Sequence, residues 1–212
     1  MSAPFIGIGT GRCGTTSLKE ILNTCRNVQV VHEVFLQPWE PPYNQGVLDS
    51  MIMYLNSERE KIIRGAISLT NIRVIDSVRE RIPDLKVIHI YREREKVAGS
   101  FTREHQGISR VIRGMEKQVK DSQQSHWINN PWLHPLAGMP EIFPKFETDD
   151  CYESYKMYWD YYMDLTFKIE NIYHIHIDSL NNDNELNSLY NYLSIPDEDR
   201  FYPEQRYFNM GQ

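Results

Sequence analysis

At 212 residues the chain is long enough for one sizeable core and short for two, so a single domain over residues 1–212 is expected. A formal net charge of −6 excludes nucleic acid as the main partner, because such binders carry a basic face or stripe. No stretch approaches the roughly eighteen apolar residues of a membrane span, the N-terminus reads as a strand rather than a signal peptide, and Cys13, Cys25 and Cys151 are too scattered for a disulfide framework or a zinc site. A cytoplasmic protein with reduced thiols is expected.

The first apolar run, Phe5–Ile8, predicts a buried strand, and a helix follows over Ser17–Asn27 with Leu18, Ile21, Leu22 and Cys25 on one face. Between them lies Gly9-Thr10-Gly11-Arg12-Cys13-Gly14-Thr15-Thr16-Ser17. Gly9 and Gly14 keep the G-x-x-x-x-G spacing of a phosphate-binding loop, but Thr15 stands where a nucleotide triphosphatase has its lysine. The nearest cation is Arg12. Glycines allow close backbone approach to an oxyanion, the helix start aims N–H groups and its positive end at the same point, and Thr15, Thr16 and Ser17 add hydroxyl donors. An anion site is expected, for a phosphate-bearing donor other than ATP. Beside Arg12 at a helix start, Cys13 is expected to be an acidic, oxidisable thiol or a plain replacement for serine.

A second strand, Val28–Val31, leads to His32 and Glu33, whose side chains should alternate if the strand persists, and then to a proline-rich loop, Gln37–Tyr43. The third strand, Ile62–Ile67, ends at Ser68 and Thr70, with Thr70 read as the N-cap of a helix over Asn71–Ile82. The fourth, Val87–Tyr91, delivers Arg92 to its carboxyl end, and a helix over Glu93–Glu104 carries Ser100 two turns on. Residues 126–147 hold too many prolines for a helix. With Trp127, Trp132 and His134 they read as a lid or substrate-binding loop, or as an aromatic-pinned surface loop. A helix over Tyr152–Ile169 carries aromatics expected to pack on the sheet, a strand over Ile172–Ile177 follows, and a last helix spans Asn184–Leu193. His174 and His176 would share a strand face, yet no third ligand stands at metal spacing, so no metal is expected. This alternation predicts an α/β fold, a parallel sheet flanked by helices.

The loop G-R-C-G-T-T-S-L, with Arg92 and Ser100 after the fourth strand, resembles the sulfotransferase family that uses 3′-phosphoadenosine 5′-phosphosulfate (PAPS). The resemblance spans most of the chain except residues 106–150, and it includes the last strand and helix up to Leu193-Ser194-Ile195-Pro196. It implies a P-loop NTPase-like sulfotransferase fold. It also implies that Gly11, Arg12, Cys13, Gly14, Thr15, Thr16 and Ser17 embrace the 5′-phosphosulfate, and that Arg92 and Ser100 hold the 3′-phosphate. Arg12 would stabilise the leaving phosphate oxygen, without a metal. The product would be adenosine 3′,5′-bisphosphate. For the base that takes the acceptor's proton, the resemblance favours Glu33, with His32 as the alternative. Ser68 and Thr70 are candidates to touch substrate, with Trp127, Trp132 and His134. The acceptor would be a hydroxyl, on a carbohydrate, lipid, small alcohol or peptide. The rival readings are a small-molecule or nucleotide kinase, against which the missing lysine counts, and a non-catalytic nucleotide-binding module.

Overall fold

The computed structural model describes residues 3–35, 44–60, 62–103, 146, 148 and 150–202. The loop Gln37–Tyr43 and the candidate residues Trp127, Trp132 and His134 lie outside the described residues.

Five strands form one sheet: β1 Phe5–Ile8, β2 Val28–His32, β3 Ile63–Ile67, β4 Lys86–Tyr91 and β5 Ile172–His176. All neighbours run parallel, in the order β2-β3-β1-β4-β5. Strands of a parallel sheet are covered on both faces, which is why β1 is apolar without alternation and why the middle of β4 is buried throughout, His89 included. Parallel pairing has a functional consequence, since it collects every strand's carboxyl end on one edge. Central β1 is followed by a crossover to one side, while the crossover after β3 runs to the other. That reversal marks where open α/β sheets bind ligands.

Most described residues, up to Arg92 and from Thr166 onward, form one compact unit, and the described part of 93–165 belongs to a second. In the first unit, α1 Thr15–Thr24 buries Leu18, Ile21 and Leu22. It also secures the sheet edge. The Asn23 amide brackets Val30 of the edge strand β2, accepting from its N–H at 2.7 Å and donating to its carbonyl at 3.0 Å, so the outward polar groups of that residue are occupied. Helix α2, Gln45–Asn56, is an element the sequence reading omitted. Asn44 caps it, its side chain accepting from the N–H groups of Gly46 and Val47, and Leu48, Met51, Ile52 and Leu55 face the core.

The helix expected over Asn71–Ile82 is broken in two. A 3₁₀ turn, Leu69–Arg73, precedes α3, Ile75–Arg81, with Val74 off the helical region between them. Ser68, and not Thr70, is the cap, its Oγ accepting from the Thr70 N–H. The Asn71 side chain explains the break: its amide donates to the carbonyls of Ala66 and Gly7 at 2.9 and 3.3 Å, tying the turn to the ends of β3 and β1. A continuous α-helix gives way to this contact. Helix α6, Asp183–Leu193, closes the unit, capped by Asn182 and burying Leu186, Leu189, Tyr190 and Leu193.

In the second unit, helix α4 (94–103) meets α5, Cys151–Thr166, which stops short of the expected Ile169. Two of the α5 aromatics pack on α4: Phe101 stacks on Tyr155 at 4.9 Å between centroids and meets Tyr158 edge-on, and Tyr158 also meets Tyr162 of its own helix. Arg94 of α4 forms an ion pair with Asp160 of α5.

Candidate active site

The loop after β1 is built by its backbone. Gly11, Arg12 and Gly14 all adopt positive φ, at 77°, 54° and 103°. Loops that turn in this way can bring successive N–H groups to bear on one anion. Two glycines are dictated by close approach. A side chain at Gly9 would strike Cys13 Sγ at 2.5 Å and the Ile90 carbonyl at 2.7 Å, and one at Gly14 would strike Ile177 Cδ1 at 2.5 Å. Helix α1 then starts at Thr15 with no side-chain cap at Gly14 and no acidic residue in its first turn. Its positive end is therefore not neutralised by a carboxylate of its own first turn. A loop and helix start of this kind can accept an anion such as phosphate or sulfate.

The loop side chains divide by exposure. Arg12 is exposed and Gly11, Gly14 and Thr16 are half-buried, while Thr15 and Ser17 are buried and Cys13 is wholly enclosed. The expectation of an acidic Cys13 is corrected here: burial pushes its thiol up to about 11, against hydrogen bonds from Thr10 and neighbouring backbone that pull the other way. Its sulfur lies under Gly9, so only its backbone N–H can serve an anion in the cradle.

At the end of β2 the strand does not persist. His32 is its last residue, in register with Ile67 of β3, and Glu33 turns into the left-handed region at φ 56° while its N–H still donates to the Ile67 carbonyl at 2.9 Å. Simple alternation therefore does not govern this pair. The half-buried His32 ring places Nε2 3.0 Å from Thr15 Oγ1 at the start of α1, whereas Glu33 is exposed. Burial holds the His32 ring below the ordinary imidazole range, opposed by the carboxylate of Glu33 and reinforced by Lys19. The sequence named both His32 and Thr15 but not their contact, because β3 separates their strands and only the sheet order reveals it.

Ser68 and Thr70 are each only 2% exposed and hydrogen-bonded to one another at 3.0 Å. Arg92 follows β4 on the same carboxyl edge as the loop. Ser100 lies on α4 in the second unit. His174 and His176 lie on β5 as expected, but each is engaged separately. His174 Nδ1 is 3.0 Å from Nδ1 of His89, and His176 Nδ1 accepts from the Asp178 N–H.

No family model matches the chain, and no curated protein is significantly similar to it. Solved structures are similar in fold. A sulfotransferase from Alicyclobacillus acidocaldarius is 16% identical, with a TM-score of 0.55 over 97% of this chain and 86% of that one. A sulfotransferase domain from the curacin biosynthetic pathway is 12% identical, with a TM-score of 0.50 over 97% of this chain and 80% of that one. Mouse sulfotransferase SULT7A1, complexed with PAP, gives 12% identity and a TM-score of 0.47 over 92% of this chain and 60% of that one. The first two define the class of fold. The chain has the P-loop-like fold of sulfotransferases. No helix among the described residues is long and apolar enough to cross a membrane.

Proposed function

We propose that this protein is a PAPS-dependent sulfotransferase that sulfates a hydroxyl group. The observation that carries the reading is the loop itself: three left-handed residues, an uncapped helix start without an acid, and Thr15 in place of the triphosphatase lysine, at the carboxyl end of the central strand. When bound, the donor supplies the sulfuryl group and leaves as adenosine 3′,5′-bisphosphate.

Backbone N–H groups of residues 11–16, with the hydroxyls of Thr15 and Thr16, hold the 5′-phosphosulfate. Arg12, exposed in the loop, offsets negative charge at the leaving phosphate oxygen. Glu33 takes the acceptor's proton: its carboxyl group is exposed on the strand edge, while His32 is engaged with Thr15. Its left-handed backbone is a local cost of the kind found where a side chain must be aimed. Arg92 is assigned to the 3′-phosphate from its place after β4, and Ser100 keeps that role by resemblance alone.

Calorimetry with adenosine 3′,5′-bisphosphate and adenosine 5′-phosphate tests the donor assignment. The bisphosphate should bind at least about tenfold more tightly, as one charge-assisted contact implies. Arg92→Ala should erase most of that preference. Equal affinity of the wild type for both nucleotides would refute the 3′-phosphate site.

A further inference from the structure

A phosphate-binding loop without its lysine has lost the cation that sits deepest in the site. The residue in that position is Thr15, and the group bonded to its hydroxyl is an imidazole, His32 Nε2 at 3.0 Å. A hydroxyl has one proton to give and lone pairs with which to accept. With the loop free of anion, Thr15 can donate to a neutral Nε2. An anion at the start of α1 offers only acceptors, so a hydroxyl turned to it must donate there, and its contact with His32 then requires a proton on Nε2, supplied either by the neutral Nε2–H tautomer or by the charged ring.

In the protein without donor the surroundings hold the ring below its ordinary range, burial being the largest cause. Burial and Lys19 disfavour its charged form, while Glu33 on its own strand end and Glu20 on α1 favour it. Lys19 and Glu20 are paired with each other, which mutes both, and the register neighbour on β3, Ile67, brings no charge. A multiply charged anion nearby acts against that burial and favours the charged ring over the neutral tautomer, since opposite charge within several ångströms raises a base's affinity for its proton.

We propose that His32 replaces the missing lysine: when an anionic donor fills the loop, the imidazole takes up one proton from solvent and faces the donor as a cation, linked to it through the Thr15 hydroxyl. His32 is then a proton-linked donor ligand, and Glu33 is left as the acceptor's base. The inference rests on reading the loop as the donor site. Because only the charged ring assists, donor affinity falls as pH rises between the ring's midpoints in the free and filled protein, by about tenfold per pH unit for one linked proton.

The test is calorimetry of adenosine 3′,5′-bisphosphate, and separately of inorganic pyrophosphate, in buffers of different ionisation enthalpy, with the His32 ring followed by NMR. Wild type should take up about one proton per bisphosphate, and its His32 midpoint should rise on binding. His32→Gln, which keeps a hydrogen-bonding group at the Nε2 position but cannot titrate, should bind with no uptake and a flat pH profile. Binding without uptake, an unmoved ring midpoint, or uptake that survives in His32→Gln would overturn the inference and leave the sulfotransferase reading standing. Uptake with pyrophosphate but no binding of the bisphosphate would uphold the inference and sink that reading. Binding of neither would end both. The ring titration in wild type gives the answer even if the variant does not fold.

Discussion

Two histidines in this sheet are buried by different amounts and bonded to different partners, and the contrast separates a working edge from a structural interior. His89, on β4, is fully enclosed, and its Nδ1 meets His174 Nδ1 on β5 at 3.0 Å, one neutral ring donating to the other. Burial, with His174 beside it, lowers His89 to about 3, so the fold refuses it a charge. His32 stands at a strand's carboxyl end, half-buried, against a loop hydroxyl and near two acids. Position in a parallel sheet decides the difference. Mid-strand residues of the central strands β1 and β4 are sealed between layers, whereas the carboxyl edge stays open to ligands.

The largest effects should come from the edge. Arg12→Asn removes the loop cation while keeping a residue that tolerates φ 54°. Sulfate transfer should fall by about 10²- to 10³-fold with thermal stability unchanged, the usual loss for one charge-stabilising group. A variant that instead unfolds would make the loop structural and erase the contrast. Glu33→Gln should lower transfer by about 10²-fold with bisphosphate affinity retained. Loss of binding without loss of turnover at saturation would move Glu33 to the donor side.

The interior should show itself only in acid. His89 has a folded value well below its unfolded 6.5, so the unfolded chain binds the extra proton. Its contribution is fully present above pH 6.5 and is lost as pH falls toward about 3, at about 1.4 kcal/mol per pH unit. Denaturant melts of wild type and His89→Gln across that range should show a shallower acid limb in the variant. Identical limbs would mean His89 is not the group that titrates. Smallest is Asn23→Ala, which leaves the buried Val30 N–H and carbonyl without their side-chain partner and should cost about 1–2 kcal/mol by the same melts.

Much of this division was legible in the sequence. The β1–loop–α1 unit reads directly, because glycine spacing after an apolar run and before an amphipathic stretch has few other solutions, and the five strands fall within a residue or so of their expected bounds. What escaped has physical causes. Helix α2 was hidden behind the proline-rich stretch, although Asn44 and the spacing of Leu48, Met51, Ile52 and Leu55 carried its signal. The break before α3 depends on Asn71 reaching two strand carbonyls, a tertiary contact that no local pattern encodes. The same holds at the site. Residue types named Arg12, Glu33 and His32, but only the strand order and the turn at Glu33 show that His32 faces Thr15, and only burial shows that Cys13 is inert.

The most direct test is transfer itself. Sulfur-labelled PAPS should be incubated with wild-type protein and fractionated cell extract in the presence of EDTA, and the fractions read for label. The account predicts label in a hydroxyl-bearing acceptor fraction with wild type, and about a hundredfold less with Glu33→Gln. Tight binding of adenosine 3′,5′-bisphosphate with no labelled fraction, or magnesium-dependent phosphate transfer from ATP in its place, would contradict it.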